Sequence, residues 1–377
     1  MGTASKRIVI SGYYGYNNSG DEAVLQSILL ALAEQGERQG VRLVPVVLSA
    51  NPAGTSAMYG VESVHRMRPR DVLSALRGAD GLISGGGSLL QDETSAKTIP
   101  YYLAVIKLAQ WLGKPTFIYS QGIGPVHRKL FYPFIGGTFR RCQAVMVRDE
   151  ESRSLLERMG VPAATVAVVP DPVMGMPLRA SSSDAPTQTD SVPANAVIGV
   201  SVRFWRDDRA ELDAVASALQ HVLEHSDAHI RMLPFHLPSD ERASQYVADR
   251  LGEAYSHRLS FARQVTHPQD MLAEVAGCQV LLGMRLHSLI YAAGQYVPMV
   301  GLSYDPKIDQ FLNRLGMKAA SSTKEPDGAS LAHETLRLLA SSNIWQEEKR
   351  QAIVRLKQEA QRPAERIAAF FTEGRGS

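Results

Sequence analysis

At 377 residues the chain exceeds one ordinary core of roughly 100–200 residues, so two domains are expected and a disulfide-dependent miniature scaffold is excluded. Forty Lys+Arg against 38 Asp+Glu leave a formal charge of +2, too little for a chain that must neutralise many phosphates along a nucleic acid, so any anion is small and met locally. With 45% hydrophobic and 21% charged residues the composition is that of a folded chain, and two cysteines, Cys142 and Cys278, point to core packing rather than to a thiolate metal cluster.

From the N-terminus, Met1 to Lys6 is polar and lacks the apolar centre of a secretory signal. No later run reaches the roughly 18–20 apolar residues that span a bilayer. A cytoplasmic protein is expected, at most peripheral at the inner membrane face. Ile8 to Ser11, Leu43 to Leu48, Gly81 to Ser84, Thr116 to Ser120, Ala144 to Val147 and Val166 to Val169 are continuous apolar runs, the pattern of parallel strands covered on both faces. Between them lie helix-length segments. Leu25, Ile28, Leu29 and Leu32 share one helix face, with Ser19 and Glu22 in capping-box spacing at its start.

The stretch 179–195 is rich in Ser, Thr, Pro and Asp and reads as a linker. A second series of strands follows: Val197 to Val202, Ile230 to Phe235, Val280 to Leu282 and Met299 to Leu302. The expected organisation is a Rossmann-like N-terminal domain, 1–178, and a Rossmann-like C-terminal domain, 196–342. A helical segment, 343–377, would pack back across them. The fold class is α/β, with two doubly wound domains facing across a cleft. Ile344 to Phe371 carries a basic amphipathic helical pattern interrupted by Pro363, whose sharper alternative reading is a membrane-surface contact.

Ligands of open α/β sheets sit at the carboxyl ends of strands, so the residues following each run matter most. Gly12 to Glu22 follows the first and contains Asn18, Asp21 and Glu22. Gly85-Gly86-Gly87-Ser88 follows the third and leads to Gln91 and Asp92. Later runs lead into Gln121-Gly122-Ile123-Gly124, Arg148-Asp149 and Pro170-Asp171-Pro172. Glycines let backbone N–H groups approach an anion. The spacing matches neither GxGxxG nor a P-loop, which weakens dinucleotide and nucleoside triphosphate readings.

The second half supplies cations: Arg203 and Arg206, then His236, then Arg285 with His287, then Lys307. Arg285 offers a planar donor fork and Lys307 a point charge. His287, in the first turn of a helix, is placed to act as acid or base. Metal chemistry is not expected, because the histidines lack the HExxH spacing and the carboxylates form no oxygen cage.

The stretches GYYGYNNSGDEA, GGGSLLQD, SQGIGP, VRDEES, VPDPV, MRLHSLIYAA and GLSYDPKI, taken together, resemble the polysaccharide pyruvyltransferase family. The likeness runs from about Ile8 to Phe311 and is strongest to bacterial enzymes that pyruvylate a secondary cell wall polymer anchoring surface-layer (S-layer) proteins. It implies a GT-B-like arrangement of the two domains. It also implies transfer of a carboxyethylidene group from phosphoenolpyruvate, a co-substrate with no cofactor needed, to two hydroxyls of one sugar. The acceptor implied is N-acetylmannosamine, ketalised at its 4- and 6-hydroxyls in a disaccharide carried on polyprenyl diphosphate.

On this reading Arg148, Arg285, His287 and Lys307, with backbone at Gly86, Gly87 and Gly122, hold the donor. Arg285, His287 and Lys307 also carry the catalysis. Asn18, Asp21, Glu22, Gln91, Asp92 and Asp171 face the acceptor, although Glu22 and Asp171 also have structural readings. Two alternatives stay open: a GT-B enzyme using a nucleoside diphosphate sugar, and a non-catalytic binder of lipid-linked saccharide.

Overall fold

The computed structural model describes residues 4–16, 18–93, 95, 97–179, 195–263 and 265–373. Apart from Arg179 and Asn195, the expected linker lies outside them. The chain divides into two compact units, one comprising residues up to Met176 and again from Leu356, the other running from Pro177 to Arg355.

The first unit is built on seven parallel strands: β1 (Ala4–Tyr14), β2 (Val41–Ser49), β3 (Glu62–His65), β4 (Gly81–Gly85), β5 (Thr116–Gln121), β6 (Ala144–Val147) and β7 (Val166–Val168), in the order β3-β2-β1-β4-β5-β6-β7. The chain order reverses beside β1, which makes the end of that strand a topological switch point. Ile8, Val9 and Ile10 have no exposure, and β4, β5 and β6 are buried at every residue. Each such aliphatic side chain contributes roughly 1.5–3 kcal/mol on burial, which is why these runs lack polar alternation.

Six helices connect the strands: α1 (Ser19–Arg38), α2 (Pro52–Tyr59), α3 (Pro69–Arg77), α4 (Thr98–Trp111), α5 (Tyr132–Phe139) and α6 (Glu150–Arg158). The expected capping box at α1 is corrected by the structure. Asn18, not Ser19, is the N-cap, in extended backbone with its Oδ1 accepting from Gly20 N at 3.2 Å. One turn further on, Glu22 reaches back to the preceding loop instead.

The second unit holds six strands: β8 (Val197–Ser201), β9 (His229–Met232), β10 (Leu259–Phe261), β11 (Val280–Gly283), β12 (Met299–Ser303) and β13 (Ser321–Ser322), ordered β10-β9-β8-β11-β12-β13 and all parallel. Its helices are α7 (Ala210–Glu224), α8 (Ser239–Leu251), α9 (Pro268–Ala276), α10 (Leu286–Gly294), α11 (Pro306–Arg314) and α12 (Gly328–Ala340). Here β8 and β12 flank β11, so the residues beyond these three strands gather at one sheet edge.

The final helix α13 (Ser342–Glu373) continues through Pro363, where the sequence pattern suggested an interruption. Its residues to Arg355 belong to the second unit and those from Leu356 to the first. Ala360, Ala364, Ile367 and Ala368 on either side of the proline are almost wholly buried, and this packing offsets the backbone bond that proline removes. Both cysteines are free thiols, and burial pushes them up, Cys142 to about 11 and Cys278 to about 12. Among the described residues no helix is long and apolar enough to cross a membrane.

Candidate functional site

In the first unit the glycine turns are shaped by the side chains that cross them. Gly86 and Gly87 both have positive φ, and a Cβ at Gly86 would lie 1.9 Å from Val24 Cγ1. At Gly87 a Cβ would stand 3.0 Å from Asp21 Oδ1, so this half-buried carboxylate sits against the backbone of the turn. Arg148, beyond β6, lies across Gly122, where a Cβ would come within 3.0 Å of its Nη2. Its Nη1 donates to Asp171 Oδ2 at 3.3 Å, its Nη2 donates to Ser88 Oγ at 3.2 Å, and Asp149 stands 3.8 Å from Nε. Arg148 is therefore a buried organiser of three strand-end loops, its charge opposed by two carboxylates.

Most of the expected acceptor residues have structural duties here. Glu22 is buried and accepts from Gly15 N at 2.8 Å and Tyr59 Oη at 2.9 Å. Burial raises its carboxyl above the usual range, against the opposing effect of these hydrogen bonds. Asp92 accepts from His127 N at 2.8 Å and Arg128 N at 2.9 Å. Its slight burial is outweighed by those two bonds, so the carboxyl is held below the usual range. Gln91 Oε1 accepts from Glu93 N at 2.8 Å, Asp171 turns back to Val173 N at 3.2 Å, and Asn18 caps α1.

In the second unit the cations are brought to one edge. Arg285, just beyond β11, donates from Nε to Asp240 Oδ2 at 2.9 Å and from Nη2 to Asp240 Oδ1. Asp240 has no exposure and also accepts from His236 N at 3.0 Å. Arg285 is thus largely committed to an internal fork-to-carboxylate pair, with Nη1 the end not held by Asp240.

His287 lies in the first turn of α10, half-buried, with a buried Nε2. Lys307 is in the first turn of α11, whose N-cap Asp305 accepts from Lys307 N at 2.9 Å, while Lys307 Nζ stands 4.0 Å from Asp305 Oδ2. His287 and Lys307 both occupy helix N-termini, where the dipole favours a bound anion.

A model of the polysaccharide pyruvyl transferase family matches residues 18–306, a span that takes in the Gly86-Gly87 and Gly122 turns, Arg285 and His287 and ends one residue before Lys307. The chain belongs to this family. It is also similar to the amylovoran biosynthesis protein AmsJ of Erwinia amylovora, 22% identical over 309 residues that cover 77% of this chain and 72% of that one. Among solved structures, a UDP-N-acetylglucosamine 2-epimerase aligns over 100% of this chain and 98% of its own, with a TM-score of 0.69 and 13% identity. Anabaena HepE in complex with UDP and glucose aligns over 98% and 100%, with a TM-score of 0.63 and 14% identity. At such identities the likeness concerns the fold, which is that of GT-B glycosyltransferases and epimerases.

This polysaccharide pyruvyl transferase carries two further cations: Arg203, which the sequence placed at a strand end without a role, and Arg66, which no sequence motif singled out. Arg203, beyond β8, donates from Nη1 to Tyr304 Oη at 3.0 Å, and its guanidinium lies 4.8 Å from the Tyr304 ring centroid and 5.2 Å from that of Trp205. A side chain rooted beyond β8 therefore ends beside the residue following β12, across the end of the intervening β11. Among the described residues no carboxylate pairs with Arg203.

In the first unit, Arg66 beyond β3 is only 5% exposed and likewise has no carboxylate partner among the described residues. Four tyrosines, Tyr13, Tyr16, Tyr101 and Tyr102, surround its guanidinium at 4.6–5.8 Å from their ring centroids. The sequence placed Arg203 at a strand end but could not show its meeting with Tyr304, and it did not reveal Arg66, whose ring partners come from distant segments; the GYYGY aromatics were the available signal there.

Proposed function

We propose that this family member transfers a carboxyethylidene group from phosphoenolpyruvate to the 4- and 6-hydroxyls of an N-acetylmannosamine residue in a polyprenyl-diphosphate-linked disaccharide. The product would serve a secondary cell wall polymer that anchors surface-layer proteins, and the protein would work at the cytoplasmic face of the membrane. The observation that supports the donor most is the placement of Arg203, Arg285, His287 and Lys307 just beyond the adjacent strands β8, β11 and β12, with no carboxylate pairing with Arg203 among the described residues. Phosphoenolpyruvate carries one carboxylate charge and, by analogy with phosphate monoesters, about −1.5 to −2 on its phosphate, matching several cations around one small ligand.

The reaction balances as two hydroxyls plus phosphoenolpyruvate giving a cyclic ketal and inorganic phosphate. Protonation of the methylene carbon leaves the central carbon oxocarbenium-like. One sugar hydroxyl adds there and loses its proton; the second then displaces phosphate. In this reading His287 delivers the first proton or meets the departing phosphate, and Lys307 and Arg203 stabilise charge on the leaving group.

The test is mass spectrometry of a synthetic lipid-linked disaccharide incubated with enzyme and phosphoenolpyruvate. A mass gain of pyruvic acid less water, with equimolar phosphate release, is expected. Saturable UDP-sugar binding with no response to phosphoenolpyruvate would overturn the reading, as would acceptor binding without phosphate release.

A further inference from the structure

The tyrosines at the end of β1 and just after it have no role in the donor chemistry. The pairing of β1 with β2 shifts register between Ser11 and Tyr14, an irregularity of the kind that redirects side chains next to functional sites. Tyr14 turns inward, 1% exposed, and donates to Gly85 O at 2.9 Å. Tyr13 and Tyr16 remain outside, each 41% exposed, with rings stacked at 4.2 Å between centroids and 11° between planes.

Two large aromatic rings held face to face in solvent need a support, and Arg66 supplies it. Its guanidinium is 5.8 Å from the Tyr13 centroid and 5.5 Å from that of Tyr16. Being nearly equidistant from two rings that touch each other, it stands beside the stack and not over an outer face. Arg66 Nη1 donates to Gly12 O at 2.8 Å and Nη2 to Tyr102 Oη at 3.0 Å, while Tyr101 Oη donates to Arg66 O at 3.0 Å. Its Nε is buried without a hydrogen-bond partner. The cation therefore ties the end of β1 to α4 and leaves aromatic surface exposed at the topological switch point of the sheet.

We propose that the Tyr13–Tyr16 stack is a saccharide-binding platform that seats a pyranose ring of the acceptor, with Arg66 as its positioning residue. An aromatic face is electron-rich and flat, and suits the polarised C–H face of a pyranose. Each tyrosine hydroxyl can both donate to and accept from a sugar hydroxyl at the rim. The platform supplies acceptor contacts that Asn18, Glu22, Asp92 and Asp171, occupied with caps, loops and Arg148, are poorly free to make. The assignment to the acceptor rests on the function proposed above.

Ligand-observed saturation-transfer NMR on the full chain tests it, with methyl glycosides of N-acetylmannosamine and glucose as probes and uridine monophosphate for comparison. The wild type is expected to transfer saturation to pyranose ring protons. Tyr13→Ala and Tyr16→Ala should each raise the glycoside Kd by at least about tenfold, while Tyr13→Phe and Tyr16→Phe keep most of the binding because the ring remains. Arg66→Lys, which keeps charge but loses the fork, should weaken glycoside binding while leaving the calorimetric affinity for phosphoenolpyruvate unchanged.

The platform is refuted if the glycosides give no signal with wild type, if both alanine variants bind them normally, or if the tyrosines are required for uridine monophosphate alone. Failure of phosphoenolpyruvate to bind while tyrosine-dependent glycoside binding persists would refute the proposed donor and leave the platform standing.

Discussion

Arg285 and Asp240 offer a sharp test of what the cationic edge is made of. Breaking a buried ion pair by removing one partner costs about 3–5 kcal/mol, because the survivor is left uncompensated. The two partners are not equivalent survivors: the Asp240 side chain has no exposure, whereas that of Arg285 is 19% exposed and can turn toward water. Arg285→Ala therefore strands a wholly buried carboxylate, eased by His236 N, and should cost about 4–5 kcal/mol. Asp240→Ala should cost about 3 kcal/mol. The double change Asp240→Leu with Arg285→Met, which removes both charges and keeps apolar volume, should fall within about 1 kcal/mol of wild type.

The assay is urea unfolding of the full chain in a Trp111→Phe background. Trp111 is 77% exposed, so its loss is mild, and the remaining tryptophans, Trp205 and Trp345, both report on the second unit. Either single variant unfolding within about 0.5 kcal/mol of wild type, the range of ordinary surface changes, would refute the reasoning. The result also bears on catalysis: if the pair behaves as described, lost turnover in Arg285→Ala cannot be credited to a missing donor contact.

His287→Ala and Lys307→Ala should each lower turnover by at least about 10²-fold with little change in the urea midpoint, and near-normal rates in folded variants would remove both from the chemistry. Gly86→Ala combines a φ of +59° with a Cβ 1.9 Å from Val24 Cγ1, and should destabilise by at least about 2 kcal/mol in the same unfolding assay. Asp92→Asn should reduce stability near neutral pH, because the folded carboxyl titrates below the unfolded value of about 3.9. That deficit should be fully present above about pH 4 and vanish as pH falls through the lowered folded value; a deficit that persists in acid would contradict the assignment.

Among the described residues ten of the thirteen strands were legible as apolar runs: most are central and covered on both faces, and the edge strand β7 was legible from its Val-Ala-Val run alone. The ones that escaped, β3, β10 and β13, are sheet edges. Glu62 to His65 and Leu259 to Phe261 are only partly buried, and β13 is two serines, so none has the continuous hydrophobicity that betrays a buried strand. Positions of the glycine turns and of Arg148, Arg285, His287 and Lys307 at strand ends were legible for the same reason. What each side chain does there was not. Asp240 lies in α8, far from Arg285 in sequence, and reads as one more acid in a charged helix start. Arg66 follows an edge strand and meets partners from β1 and α4, a meeting that only the fold creates.

Gly122 has an ordinary φ, so what bars a side chain there is space occupied by Ser88 Oγ and Arg148 Nη2. The constraint on that residue is thus imposed by another. Shortening Arg148 would remove one of the two contacts and free Ser88 Oγ, 2.9 Å from a Cβ at 122, from its bond to the guanidinium, and a bulkier residue at 122 would push the guanidinium from its three loops. The two sites should drift together or not at all, so a descendant that abandons the arginine would carry the trace of that loss at the glycine.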